Sequence, residues 1–137
     1  MKNVYLAAPL FSDAERDFNS KLRDELEGAG MCVFLPQEHS NDTNTQARQE
    51  AIFSKNLAAI EISDILVAVL DGVDVDSGTA WEIGYAYAKG KPVFGLRTDF
   101  RTLGIEGTVN LMIERSIVLC MSIPCLLYTS PSPRDRS

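Results

Sequence analysis

Ile65-Leu-Val-Ala-Val-Leu70, set between Asp64 and Asp71-Gly72, decides the architecture. A strand with one wet face alternates apolar and polar residues. This run has no polar residue at all, so both of its faces must be covered. That is the pattern of an internal strand in a parallel sheet. The run is also far too short to cross a bilayer. A helical segment lies on each side of it. Upstream, roughly Gln46–Ile62 turns Ile52, Leu57 and Ile60 to one face. Downstream, an acidic loop over Asp71–Gly78 leads into a helix over Thr79–Lys89, closed by Gly90. Pro92–Leu96 then reads as a further strand.

The same alternation continues outward. Val4–Ala8 is a short buried strand ended by Pro9. Ser12 followed by Glu15 is a capping box. It opens a helix over Asp13–Glu27 in which Phe18, Leu22 and Leu26 recur every four residues. Gly28 and Gly30 stop it. Met31–Leu35 is a strand ended by Pro36, and Glu38–Thr45 is a polar loop. Beyond a loop over Arg97–Gly107 come a short helix near Val109–Glu114 and a last strand at Ile117–Cys120. Strand and helix alternating in this way specify an α/β fold: a doubly wound, five-stranded parallel sheet with helices on both faces and right-handed crossovers. Ligands of such sheets bind beyond the carboxyl ends of the strands, which directs attention to the loops that follow them.

The chain has 137 residues, enough for one domain, with 13 Lys+Arg against 19 Asp+Glu and a net charge of −6. An acidic surface repels phosphate backbones, so no nucleic-acid polymer is expected as a partner, and no membrane either. Met1-Lys2-Asn3 runs directly into a strand without signal-peptide anatomy. Cys32, Cys120 and Cys125 lack metal-ligand spacing, so a reduced, cytoplasmic setting is expected. Residues 125–137 change character, with Pro131 and Pro133 among serines. Reverse-translated, Cys125 through Asp135 resembles the read-through of a transposon adaptor used in DNA sequencing. The domain is therefore expected to occupy residues 1–124, followed by a non-native, disordered tail over 125–137.

Four carboxylates, Asp71, Asp74, Asp76 and Glu82, fall at the predicted binding edge. A calcium loop does not fit them. Counting from Asp71, its third and fifth ligand positions would be Val73 and Val75, and Asp76 stands where glycine is required. Neither a P-loop nor a dinucleotide glycine fingerprint is present. The plain reading is a solvated acidic turn. Glu82 stands apart, because it lies about one turn into a helix and is flanked by Trp81, Ile83 and Tyr85. The helix start favours its ionised form while apolar walls strip its water, which makes it a candidate nucleophile.

Val75-Asp-Ser-Gly-Thr-Ala-Trp-Glu-Ile-Gly-Tyr-Ala86, followed by Lys89-Gly-Lys-Pro-Val93, resembles the central motif of the nucleoside 2-deoxyribosyltransferase family. Val4-Tyr-Leu-Ala-Ala-Pro-Leu-Phe11 and Val109-Asn-Leu-Met112 are similar to other stretches of that family. The resemblance spans roughly residues 3 to 120. It implies a flavodoxin-like fold and transfer of 2-deoxyribose between nucleobases, with no metal and no cofactor. It also implies that Glu82 attacks C1′, that Asp76 binds the base and assists its protonation, and that the Tyr5 hydroxyl orients Glu82. Asn110 would hold the sugar hydroxyls from across a subunit interface. Read from its position alone, Asn110 is a helix N-cap. Ser77, Gly78 and Phe11 fall within the matching stretches and are expected beside substrate. Asn56 stands where one branch of the family has aspartate. The implied partners are a small nucleoside and a nucleobase, in a homo-oligomer whose neighbours complete each pocket.

Two enzymatic alternatives share parts of this pattern. Relatives of the same fold hydrolyse deoxynucleoside 5′-monophosphates, but they need a phosphate cradle, and Asp76 stands at the position concerned. Phosphoribohydrolases share the Gly78–Glu82 string but lead into it with Pro-Gly-Gly, where this chain has Val75-Asp76-Ser77. A non-catalytic nucleotide-sensing domain is the third alternative. Several other residues read as bland: His39 as a surface residue, Trp81 as a packing residue, Cys32 as a small core residue, and Arg97 and Arg101 as solvent-exposed.

Overall fold

A computed structural model describes residues 1–39, 45–101, 107 and 109–129. Five parallel strands form one sheet in the order β2-β1-β3-β4-β5, where β1 is Asn3–Ala7, β2 Cys32–Phe34, β3 Ile65–Val69, β4 Val93–Leu96 and β5 Val118–Cys120. This is the flavodoxin-like order. Helices α1 (Asp13–Gly28), α2 (Gln46–Ile62), α3 (Ser77–Ala88) and α4 (Leu111–Glu114) join successive strands, and α5 (Ile123–Thr129) follows β5. No helix among the described residues is long and apolar enough to cross a membrane.

Strand parity sorts the core into two layers. Val4 and Leu6 of β1 and Ile65, Val67 and Val69 of β3 pack with Leu22 and Leu26 of α1 on one face. Tyr5 and Ala7, with Leu66 and Ala68, pack with Ile60 of α2 and Ile83 of α3 on the other. Every residue of β3 is buried, which is why its sequence cannot alternate. Burying a leucine such as Leu22 or Leu26 contributes roughly 1.5–3 kcal/mol, so each layer rests on a few such side chains. The capping box at Ser12 and Glu15 is formed in both directions. Gly90 takes φ +76 after α3. Its N–H donates to Tyr87 O and that of Lys91 to Ala86 O, the paired bonds of a glycine-terminated helix.

Several expectations need correction. Cys32 is exposed rather than core, because β2 is an edge strand and Cys32 opens it. Arg97 is buried, not solvated: its Nη1 donates to Leu70 O at 2.6 Å and its Nη2 to Arg101 O at 2.8 Å. The end of β3 leaves a carbonyl that this guanidinium satisfies. Pro36–Glu38 forms a single 3₁₀ turn at the start of the expected loop, and residues 40–44 of that loop lie outside the described residues. Order also extends past residue 124. Helix α5 buries Leu126 completely against the layer holding Cys120 and Leu96, with Ile123 and Leu127 packed beside it. The expected disorder of the tail is thereby corrected for residues 125–129, and residues 130–137 lie outside the described residues.

Candidate functional site

The site is assembled by β1, α2 and α3 on one face of the sheet. Tyr5 sits on β1 at a position whose side chain faces α2 and α3, and it is fully buried. Glu82 lies one turn and a half into α3. The Tyr5 hydroxyl donates to Glu82 Oε2 at 2.6 Å, a short charge-assisted bond between residues 77 positions apart. Phe34 stacks on Tyr5 with ring centroids 5.6 Å apart, and His39 stacks on Phe34 at 4.3 Å. This aromatic column holds the Tyr5 ring and so aims its hydroxyl. His39 itself is exposed, as expected.

Glu82 opens onto a cavity of about 240 Å³ between α2 and α3. Phe53, Leu57 and Ile60 line it from α2, and Gly78 and Trp81 line it from α3. Asn56 supplies the one side-chain amide in this lining. Burial among these groups pushes the Glu82 carboxyl up to about 7, and the nearby Asp76 charge adds to the rise, while the Tyr5 hydrogen bond opposes it. Burial, with the Glu82 charge behind it, raises the Tyr5 phenol far above its ordinary value, so it remains a donor. The sequence-based picture of a carboxylate held ionised by the helix start is therefore revised. Burial raises the carboxyl, so near neutrality Glu82 is divided between its two forms.

Asp76 is the N-cap of α3. Its Oδ2 accepts from Thr79 N at 3.0 Å and from Thr79 Oγ1 at 3.2 Å. It is not among the residues lining the cavity but lies directly behind Gly78, where an added Cβ would meet Asp76 Oδ2 at 3.3 Å. Ser77 is exposed at the first position of α3.

Two expected site residues are not brought to Glu82. Phe11 is 73% exposed in the turn before α1, where its N–H donates to Glu15 Oε1. Asn110 caps α4 by accepting from Met112 N at 2.8 Å. It lines a different groove, of about 510 Å³, on the opposite flank of α3 beside Ile83, Gly84 and Tyr87. The sequence reading missed Phe53, Leu57 and Ile60 as cavity walls and assigned Trp81 to packing. Trp81 is 51% exposed, with Phe53 edge-on to it at 5.8 Å. The signal available for Trp81 was its spacing. Gly78, Trp81 and Glu82 fall at i, i+3 and i+4, one face of a helix.

Comparison with known proteins agrees with this geometry. The solved 2-deoxyribosyltransferase from Bacillus psychrosaccharolyticus is 28% identical, with a TM-score of 0.82, and the match covers 93% of this chain and 92% of that one. A conserved protein from Enterococcus faecalis V583 is 33% identical with a TM-score of 0.80, covering 93% of this chain and 96% of its own. An uncharacterized protein from Ureaplasma parvum serovar 3 is 31% identical over 114 residues, which is 72% of this chain and 71% of the relative. The profile of the nucleoside 2-deoxyribosyltransferase family matches residues 4–118, from β1 into β5 and so across every residue of the site. The chain belongs to the nucleoside 2-deoxyribosyltransferase family.

Proposed function

We propose that the protein transfers 2-deoxyribose from one nucleobase to another through a covalent ester on Glu82. The observation that carries this reading is the 2.6 Å bond from the Tyr5 hydroxyl to Glu82 Oε2 at the wall of an apolar cavity. A carboxylate fixed by one hydrogen bond keeps its second oxygen for attack. That oxygen bonds to C1′ as the C1′–N bond breaks, and the departing base takes up a proton. Asp76, behind Gly78, is the assigned acid group on the base side, with Asn56 as a hydrogen-bonding partner to the base. A ring nitrogen of the second base then attacks C1′, gives its proton back to Asp76, breaks the ester and frees the Glu82 carboxylate. Two inversions give retention, as in a retaining glycosidase with a base in place of water. Ser77 and Gly78 border the sugar side at the start of α3.

The substrate class is a nucleoside rather than a nucleotide. Among the described residues no cationic side chain lines the cavity, and Asp76 adds negative charge where a 5′-phosphate would need a cradle. Asn110, on the far flank of α3, serves the pocket of a neighbouring subunit in a homo-oligomer, and Phe11 lies at the rim of the same assembled site.

The test is to incubate deoxyinosine with and without free adenine. Deoxyadenosine formed only with adenine, without free deoxyribose, supports transfer. Free deoxyribose irrespective of adenine makes the protein a hydrolase, and bound ligand with neither product makes it a sensor. Glu82→Gln is expected to lower turnover at least a thousandfold, because the amide is a poor nucleophile. Denaturing mass spectrometry of the wild-type protein with deoxyinosine alone should show the deoxyribosyl adduct on the peptide containing Glu82.

A further inference from the structure

We propose that Trp81 is the stacking platform for the nucleobase, and that Tyr85, Glu61 and Lys89 form a strut that holds it in place. This rests on the nucleobase reading of the Glu82 cavity and assigns that cavity its recognition surface. Trp81 lies next to the nucleophile and lines the same cavity, yet it remains 51% exposed. Tyr85 covers one side of the indole and the Phe53 ring stands at 63° to it, and the half of the residue left in solvent lies at the edge of the apolar cavity. Its other contacts are organised to keep it there. The Tyr85 ring, one turn later on α3, stacks on the indole with centroids 5.4 Å apart and an interplanar angle of 7°. The Tyr85 hydroxyl in turn donates to the Glu61 carboxylate of α2.

Lys89, one turn further along α3, closes the strut. Its Nζ lies 3.7 Å from Glu61 Oε2 and 5.5 Å from the Tyr85 ring centroid. Beside it, Lys91 Nζ donates to Glu61 O at 3.0 Å and to Ser63 O at 2.7 Å, fixing the end of α2. The two helices that wall the cavity are thus tied at one end by a polar clasp. The stacked pair Trp81–Tyr85 runs from that clasp to the cavity. Of the remaining walls on α2, Phe53, Leu57 and Ile60 are apolar and Asn56 adds a side-chain amide. A ligand held here gains mainly from a flat π face lying on the indole, which suits a free or sugar-linked heterocyclic base.

Trp81 is the only tryptophan in the chain, so its fluorescence reports the site without labelling. Adenine alone, without a sugar donor, should quench it saturably. By calorimetry, Trp81→Ala should bind adenine roughly tenfold more weakly, the scale of one base–aromatic stack. Trp81→Leu, which keeps apolar bulk without the π face, should lose nearly as much, and guards against a folding defect in the first variant. Tyr85→Phe and Glu61→Gln keep the tryptophan and should weaken adenine several-fold, with unchanged circular dichroism. Absence of quenching, or adenine affinity within twofold of wild type in Trp81→Leu, overturns the platform even if base exchange proceeds normally. Quenching and weakened variants without any exchange uphold it while removing the transferase reading.

Discussion

In the proposed mechanism the carboxylate at position 82 attacks as an anion, yet the walls that shape its cavity favour the neutral acid. With its titration near 7, only part of the protein carries the anion that mechanism needs at any pH below about 8. The rate constant kcat/KM is therefore expected to rise with pH along an acidic limb centred near 7, which a pH–rate profile reads directly. Tyr5 lowers that midpoint by donating to the charged form. A hydrogen bond to a charged group is worth about 1.5–3 kcal/mol, so Tyr5→Phe should move the limb up by about one to two pH units. An unshifted limb in that variant would mean that Tyr5 does not act through Glu82. The same raised value has a stability consequence. The unfolded carboxyl titrates near 4.5, so between about 4.5 and 7 the folded protein holds a proton that the unfolded chain has lost. Stability from this group is complete below 4.5, falls as pH rises to about 7, and is level above that. The cost at pH 8 is about 3 kcal/mol on the scale of 1.36 kcal/mol per pH unit. Glu82→Gln should accordingly raise Tm at pH 8 and change it little at pH 4.5. Equal effects at both pH values would locate the cost in packing rather than charge.

Elements with strong periodicity were legible in the sequence, and the apolar run at β3 fixed the sheet. The sequence-based ranges for α1 and α2 agree with the structure to within a residue, and in α1 the capping box and four-residue repeat are local signals. What could not be read locally was long-range satisfaction. The burial of Arg97 depends on the free carbonyl of Leu70, and the seating of α5 depends on the apolar layer beside β5 that receives Leu126. Gly95 in β4 is another such case. A Cβ there would lie 2.5 Å from Ile117 Cδ1 and 2.7 Å from Leu70 Cδ1, so the strand needs glycine to let both side chains cross it. Leu70 is fully buried and cannot swing away, whereas Ile117 is only partly buried. Gly95→Ala should therefore cost about 1 kcal/mol, near the lower end for overpacking, and lower Tm by roughly 4 °C in a thermal melt. No change in Tm would mean that the sheet relaxes around the methyl group.

Over the whole molecule, the residues the sequence singles out fall on two flanks of α3. Gly78, Trp81 and Glu82 face the cavity toward α2, while Ile83, Gly84 and Tyr87 face the groove that contains Asn110. The sequence could place Tyr5, Asn56, Gly78 and Glu82 together, since topology brings β1 and α3 to one side of the sheet. Asn110, which the family resemblance assigns to the pocket of a neighbouring subunit, lies in a separate groove on the far flank of α3. The far flank carries the surface such a copy would cover: Val73, Tyr87, Leu111 and Met112 are all more than half exposed. A shared-site oligomer predicts complementation. Asn110→Asp keeps the helix cap, since aspartate caps as well as asparagine, but replaces the amide that would reach sugar. Alone, it should lose most activity, as should Glu82→Gln. When the two variants are mixed and allowed to exchange subunits, a pocket with an intact Glu82 can receive an intact Asn110 from its neighbour, and base exchange should partly return. Recovery that tracks subunit exchange supports a pocket built by two chains. A mixture no more active than its components, with exchange confirmed by native mass spectrometry, would confine Asn110 to capping α4 and leave each protomer to complete its own site.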